Sequence, residues 1–301
     1  MRLATAISDF WCYTGSIEDS IKLMYDAGFR YIDFGMGHDR FFKNDNWKEE
    51  TLKVKDYVER LGMKFIQAHS PDDDVFDPER RERYVKKVVR SLEICKILGI
   101  PHTVVHAGFK TGTNKDEFYE NNIAFYKELF PYMEETGVSV LTENTTKTNI
   151  PPEKCYFFYK GEEMMEFIKA VDHPMFHAVW DTGHGNTEGD QYEDIMALGK
   201  ELYGIHVSDN SEHGDEHVIP YLGTLNMDAV MNGLIDSGYK GDFTFEASLS
   251  LRMSNSRQGK RHVFERDTRL LEPTLEMQIQ MERLMYIIGK HCLTSYGVFE
   301  E

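Results

Sequence analysis

The segment RLGMKFIQAH, residues 60–69, contains a short pattern that recurs along the chain. Its first residues end an amphipathic stretch, its glycine is suited to terminating a helix, and the apolar run that follows is typical of a buried strand. The same order is found in DAGFRYIDF (26–34), ILGIPHTVVH (97–106), ETGVSVLTEN (135–144) and DSGYKGDFTFEA (236–247). The repetition predicts alternating helices and strands.

Eight such runs are predicted as strands, at residues 3–7, 31–34, 64–68, 102–105, 139–142, 177–180, 203–207 and 242–245. The predicted helices are 17–27, 47–61, 78–98, 115–135, 161–170, 192–199, 227–236 and 273–290. Eight strand–helix units fit an α/β fold, the single (β/α)8 TIM barrel, which usually needs roughly 250 residues. A doubly wound sheet is the alternative, but its dinucleotide-binding form requires G-x-G-x-x-G after the first strand, where this chain has none.

The chain shows no linker or change of composition, so residues 1–301 are predicted to form one barrel domain. The longest irregular stretches, 144–160 and 248–273, predict extended loops after strands five and eight. Loops of this length in a compact barrel are commonly functional.

Composition limits the classes of partner and the compartment. The 34 Lys and Arg against 51 Asp and Glu leave a net charge of −17, which argues against nucleic acid as a partner. The N-terminus lacks the apolar core of a secretory signal, and no window approaches the roughly 18 apolar residues of a membrane helix. Cys12, Cys95, Cys155 and Cys292 form no C-x-x-C motif, so we predict a reduced, cytoplasmic protein with no membrane partner. A homo-oligomer is compatible with the sequence.

Polar residues end most of the predicted strands, and the carboxyl ends of barrel strands form the active site. The strand-end residues are His69, His106, Glu143, Asp181, His206 and Glu246, with His184, Asp215 and His217 close behind strands six and seven. So much charge at one mouth requires a compensating cation. Oxygen and imidazole ligands suit Mn, Co, Mg or Zn. Helix capping or ordinary polar contacts are the alternative for each residue taken singly.

The motifs TEN at Glu143, WDTGH at Asp181, GIHVSD at His206, D-x-H at Asp215 and FEAS at Glu246 together resemble the xylose isomerase-like TIM barrel superfamily. That superfamily contains sugar and sugar-phosphate isomerases and epimerases, and also endonuclease IV. The resemblance extends from strand one to strand eight.

In ketose 3-epimerases of this superfamily, Glu, Asp, His and Glu from strands five to eight hold one divalent metal. The resemblance therefore implies that Glu143, Asp181, His206 and Glu246 are metal ligands. It also implies that Glu143 and Glu246 are catalytic and transfer a proton beside a carbonyl, through a metal-stabilised enediolate, on a sugar, sugar phosphate or related polyol. Two positions depart from the ketose pattern, because Glu212 stands where an Arg is expected and Asn149 where a Glu is expected.

Other activities in the superfamily remain open. Inosose dehydratases use similar ligands to eliminate water, and a barrel could also bind metal and sugar without catalysis. Endonuclease IV is an apurinic-site nuclease with three zinc ions, and each of its ligand types has a counterpart here: His69, His106, Glu143, Asp181, His184, His206, Asp215, His217 and Glu246. The acidic charge favours the sugar enzymes over the nuclease. In a sugar enzyme, His69, His106, His184, Asp215 and His217 are candidates for binding further metal or substrate, and capping, orientation of the ligands or retention from a common ancestor are the alternatives.

Two further groups are candidates for contact with a small substrate. Phe10, Trp11, Phe41, Phe42 and Trp47 follow the first two strands and could line a sugar pocket, or else pack between loops and helices. Arg252 begins the one basic stretch, with Arg257, Lys260, Arg261, Arg266 and Arg269, and is a candidate phosphate-binding residue. A solvated face or a subunit contact is the alternative for this stretch.

Overall fold

The structure, a computed structural model, describes residues 1–37, 39–146, 156–254 and 261–301. Parallel strands form a closed barrel in chain order: β1 Leu3–Ala6, β2 Tyr31–Gly35, β3 Lys64–His69, β4 His102–Val104, β5 Ser139–Glu143, β6 Phe176–Asp181, β7 Leu202–Val207 and β8 Phe243–Phe245. β1 pairs with both β2 and β8, which closes the sheet. The predicted (β/α)8 barrel is confirmed.

The helices that surround the barrel are α1 Ile17–Ala27, α2 Trp47–Arg60, α3 Pro78–Leu98, α4 Lys115–Thr136, α5 Gly161–Val171, α6 Thr182–Asn186, α7 Tyr192–Leu198, α8 Met227–Asp236 and α9 Leu275–Ser295. Gly99 and Gly137 end α3 and α4 in the left-handed conformation, with φ of 75° and 72°, as the glycine pattern predicts. The predicted bounds of the last helix are wrong, because Thr274 caps its first turn and it continues to Ser295.

The described part of the protein has two sets of buried apolar side chains, one outside the sheet and one inside the barrel. A large apolar core lies between strands and helices, and a separate small cluster of Val104, Leu141 and Val179 belongs to neighbouring strands. Because side chains alternate between the two faces of a strand, the residues two positions further face the barrel interior as well. Those residues are His106, Glu143 and Asp181. On β4, β5 and β6 the inward side chain is therefore apolar at one level and polar one step nearer the carboxyl end.

The two predicted long loops connect β5 to α5 and β8 to α9. Residues 147–155 and 255–260 within them lie outside the described residues, and with them Asn149, Cys155, Arg257 and Lys260. No helix in the described part of the chain has the length and apolar character needed to cross a membrane.

A pair of buried acids joins α9 to the start of the barrel. Asp9, in the 3-10 turn after β1, accepts a hydrogen bond from Thr5 Oγ1 at 2.8 Å. The Glu282 carboxyl of α9 lies beside it, and the two side chains are 3% and 1% exposed. Burial raises the pKa of Asp9 to about 7, and burial together with the Asp9 charge raises the pKa of Glu282 well above its usual value. Two adjacent carboxyls without solvent retain a proton between them.

We predict that this pair makes stability fall as pH rises. A carboxyl whose pKa is higher in the folded than in the unfolded protein, where it is about 4, stabilises the fold at low pH. This stabilisation is lost as the pH rises through the folded pKa. Each pKa unit of difference between the two states corresponds to ~1.4 kcal/mol of unfolding free energy. Glu282→Gln should therefore reduce the decline of unfolding free energy between pH 5 and pH 8, measured by urea denaturation. Glu276→Gln, on the exposed face of α9, is the control. Equal pH slopes in Glu282→Gln and the unsubstituted protein would contradict the prediction.

Candidate metal centre

Four side chains from the ends of the last four strands converge at the barrel mouth. Glu143, Asp181, His206 and Glu246 offer ligand atoms that all lie within 4.8 Å of one another, and we call them the central cluster. His206 Nδ1 is 2.9 Å from Glu143 Oε1 and 3.0 Å from Glu246 Oε2. The sequence predicted these residues as one ligand set, and the structure brings them together.

The other five predicted residues form two flanking groups. His69, His106 and Glu143 make up the histidine-pair cluster, and His184, Asp215 and His217 make up the loop cluster. The facing Nε2 atoms of His69 and His106 are 3.0 Å apart, and His217 Nε2 is 3.0 Å from Asp215 Oδ1. Glu143 belongs to both the central and the histidine-pair clusters. The sequence separated the central four from the other five, but it could not show that Glu143 is shared by two clusters, because this depends on distances between strands.

Backbone carbonyls orient three of these histidines. His69 Nδ1 faces Ser70 O at 3.2 Å, His184 Nδ1 faces Asn144 O at 2.8 Å, and His217 Nδ1 faces Glu246 O at 3.0 Å. A carbonyl only accepts, so each Nδ1 carries a proton, and each Nε2 faces its cluster, where it could bind a metal in place of its own proton. Metal-ligating histidines have this arrangement.

Buried oxygens without partners also fit a cation. Glu143 Oε2 and Asp181 Oδ2 are buried and have no hydrogen-bond partner among the described residues. Such an oxygen costs free energy unless an ion or a proton compensates it. The charges around these atoms and the chemistry of the donors therefore fit a divalent metal.

The pKa values report how strongly these carboxylates attract positive charge. Burial lowers the pKa of His69 and of His217, but nearby carboxylates outweigh it and raise the two values to about 9 and about 10. Burial also raises the pKa of Glu246, while His206 and His217 lower it to about 2. For Asp181 burial dominates and raises the pKa to about 6. The negative charge that raises the pKa values of these imidazoles also favours a divalent cation in place of their protons.

Two residues that sequence reasoning did not assign hold the ligands in place. Asn144 clamps β6, because its Oδ1 accepts from Asp181 N at 2.6 Å and its Nδ2 donates to Asp181 O at 2.9 Å. Asp209 accepts from the backbone N–H groups of Asn210, Tyr221, Gly223 and Leu225, which fixes the loop that carries Asp215 and His217. Asn144 lies in the motif TEN and Asp209 in the motif GIHVSD. Their position close to a candidate ligand is the only signal in the sequence that could have indicated them.

Two cavities adjoin the clusters and share Asp72 and His106 in their walls. The larger, about 490 Å³, is also lined by Phe109, Phe157 and His184. The smaller, about 290 Å³, is lined by Trp11, Asp33, His69 and Glu246. His106 and His184 line the larger cavity, and His69, His106 and Glu246 line the smaller, so a molecule in either one would lie beside candidate ligands.

The remaining predicted substrate contacts have mixed outcomes. Trp11 lines the smaller cavity, whereas Phe10, Phe41 and Trp47 are buried in the core between helices and strands and Phe42 packs against it. For those four aromatics the structure therefore shows the second of the two stated alternatives, packing between helices and strands. Arg252 Nη2 lies 3.3 Å from Glu216 Oε1, and Arg252 is not among the described residues that line the two cavities.

Several curated proteins are similar to this chain. A fructoselysine 3-epimerase of Escherichia coli O157:H7 is 22% identical over 85% of this chain and 94% of its own length. A probable endonuclease 4 of Persephonella marina is 29% identical over 38% of this chain and 43% of its own length. Protein MJ1311 of Methanocaldococcus jannaschii is 26% identical over 60% of this chain, and the alignment spans 64% of that relative.

Solved structures share the fold. A D-psicose 3-epimerase of Clostridium cellulolyticum H10 superposes with a TM-score of 0.75 at 16% identity, over 97% of this chain and 99% of the other. The IolI protein with a bound zinc atom superposes with a TM-score of 0.72 at 16% identity, over 98% and 99%. The model of the xylose isomerase-like TIM barrel family matches residues 21–264. The chain belongs to the xylose isomerase-like TIM barrel family.

Proposed function

We propose that the protein is a divalent-metal-dependent isomerase or epimerase that acts on a sugar or related polyol. The observation that carries the proposal is the central cluster, in which two glutamates and an aspartate surround one imidazole nitrogen. The fructoselysine and D-psicose 3-epimerases among the similar proteins support the reaction class. Mn, Co, Mg and Zn are all compatible with these ligands.

In this proposal Glu143, Asp181, His206 and Glu246 hold the ion. A divalent ion there supplies a Lewis acid for a carbonyl oxygen. Glu143 and Glu246 come from β5 and from the end of β8, three strands apart around the barrel, so they approach the centre from different sides. The pKa of Glu143 lies well below its usual value and that of Glu246 at about 2, so both are carboxylates at neutral pH.

A carboxylate in this position can accept a proton from the carbon beside a carbonyl, and its partner can return one. Return to the opposite face of that carbon inverts the stereocentre, and return to the neighbouring carbon isomerises the sugar. Glu246 lines the smaller cavity, where a substrate would meet it, whereas Glu143 is 2% exposed. Glu143 acts in the proposal through its Oε2 atom, which has no hydrogen-bond partner among the described residues.

The cavity walls favour an uncharged substrate over a sugar phosphate. Arg80 lines the larger cavity, but its guanidinium is paired with Asp73 at 2.9 Å and with Asp74 at 3.2 Å. Arg252, the predicted phosphate ligand, is paired with Glu216. A phosphate would therefore have to compete with carboxylates for each of these cations.

A second candidate function is phosphodiester cleavage with three zinc ions, as the endonuclease IV resemblance implies. The observation that favours it is that the histidine-pair and loop clusters complete three ligand groups. The relative from Persephonella marina supports the same candidate. The net charge of −17, together with Asp72, Asp73 and Asp74 in the wall of the larger cavity, opposes binding of a nucleic acid backbone.

Glu246→Gln should leave the fold intact and lower exchange of a substrate proton with solvent by about 10²–10⁴-fold, because an amide cannot accept the proton. Exchange into a panel of ketoses in D₂O, followed by NMR, measures this. The matched control is Glu162→Gln on the exposed side of α5. Retention of most exchange in Glu246→Gln would exclude Glu246 as acid or base. A dehydrated product would indicate a lyase, and binding without turnover would indicate a sugar-binding barrel.

The metal count separates the two candidate functions. After dialysis, metal analysis should find one divalent ion per chain, and Asp181→Asn should lower this retention because a buried anionic ligand is lost. Asp190→Asn, an exposed aspartate near the same strand, should retain the ion. Unchanged metal content in Asp181→Asn would remove Asp181 from the ligand set. Three zinc ions together with cleavage of DNA at abasic sites would favour the nuclease.

A further inference from the structure

His206 lies between two groups of carboxylates. Its side chain is fully buried, and its two ring nitrogens face opposite directions. Nδ1 faces Glu143 and Glu246 of the central cluster, at 2.9 and 3.0 Å. Nε2 faces Asp33 Oδ2 at 3.1 Å, and Asp33 belongs to none of the three clusters. The ring therefore joins the central cluster to a carboxylate on its other side.

Asp33 reaches His206 across the barrel interior. It lies on β2 and His206 lies on β7, and these strands are not neighbours in the sheet. The Asp33 side chain is 3% exposed, so bulk water does not solvate its carboxyl group. A buried carboxylate oxygen without a hydrogen-bond donor is costly, and an imidazole N–H at this distance would supply a donor.

Gln67 and Gly204 hold Asp33 in this position. Gln67 Nε2, on the neighbouring strand β3, donates to Asp33 Oδ2 at 2.8 Å. The Gln67 amide fits only because residue 204 has no side chain, since a Cβ there would lie 2.4 Å from Gln67 Oε1. Gly204 precedes His206 by two residues and so shares its inward face. These contacts place the Asp33 carboxylate against the Nε2 edge of the His206 ring.

An imidazole that ligates a cation through Nδ1 must carry its proton on Nε2. A carboxylate that accepts this proton selects the tautomer, orients the ring and increases the basicity of Nδ1. The competing arrangement has Nε2 accept from Gln67 Nε2, which lies 2.7 Å away, and Nδ1 donate to Glu143. In that arrangement Nδ1 could not bind a metal, so the two arrangements predict opposite protonation of the ring.

We propose that Asp33 is a positioning residue that accepts the Nε2 proton of His206 and thereby presents Nδ1 to the central cluster. The inference rests on the proposed assignment of that cluster as the metal site. In this proposal Asp33 does not itself contact the ion.

The test uses the full chain and zinc alone as the probe. Asp33→Ala should weaken zinc binding by about 10–100-fold in a chelator competition assay, because outer hydrogen-bond partners of metal-bound histidines have effects of this size. Asp33→Asn retains an acceptor oxygen without the charge and should lose less affinity. Glu282→Gln removes a different buried carboxyl, which does not touch His206, and should bind zinc as the unsubstituted protein does.

A spectroscopic measurement separates positioning from general destabilisation. Long-range ¹H–¹⁵N NMR of the zinc-loaded protein should show His206 protonated at Nε2, with a strongly downfield proton that is lost in Asp33→Ala. Protonation at Nδ1, or equal zinc affinity in a folded Asp33→Ala protein, would overturn the inference. If Asp33→Ala does not fold, Asp33→Asn decides, with weaker zinc binding supporting the inference and unchanged binding overturning it.

The two proposals fail in different ways. Zinc binding that depends on Asp33, without proton exchange into any ketose, would leave this inference standing and reject the proposed isomerase. Zinc binding that is independent of Asp33, together with exchange that depends on Glu246, would reject only the inference.

Discussion

The structure depends on the two-residue period of strands in a closed parallel barrel. Each inward position near a strand end meets its equivalents from the other strands, and in this chain many of those positions are acidic or imidazole residues. Leu141 and Val179 are apolar at one level of the interior, and Glu143 and Asp181 stand one step above them. Closure of the barrel thus concentrates negative charge in a small buried volume, where a positive ion or protons must balance it.

Three of the histidines at the barrel mouth have the same ring orientation, and His206 has the reverse one. His69, His184 and His217 each present Nδ1 to a backbone carbonyl, which leaves Nε2 for the cluster. His206 is reversed, with Nδ1 toward the cluster and Nε2 toward Asp33. In His206, the nitrogen that points away from the cluster faces the Asp33 carboxylate, whereas in the other three histidines it faces a backbone carbonyl. The fold thereby controls which nitrogen of each ring faces the centre, and this control is a condition for ligation that residue types alone do not reveal.

The residues at the barrel mouth are compatible with the two proposed kinds of chemistry, and charge distinguishes the two proposals. One ion in the central cluster leaves the surrounding walls acidic, with Asp72 facing both cavities and Arg80 neutralised by its own aspartates. Such a site suits a neutral polyol. Three ions would add positive charge at the histidine-pair and loop clusters and would suit a phosphodiester. The central cluster carries the proposed isomerase and the acidic walls favour it over the nuclease, whereas the nuclease candidate follows from the completeness of the ligand set.

The sequence by itself determined the barrel, the helix ends apart from those of the last helix, and the nine candidate ligands. Glycine caps, apolar periodicity and strand-end polarity are local properties, which is why they could be predicted. Local patterns left open whether Phe10, Phe41 and Trp47 line a pocket or pack between elements, and the tertiary structure places them in the core. Only the tertiary structure decided how the ligands divide into clusters and that Asp33 contacts His206, which is 173 residues away in the chain. The physical reason is that such contacts form across the interior of a closed barrel, where distance along the sequence carries no information about distance in space.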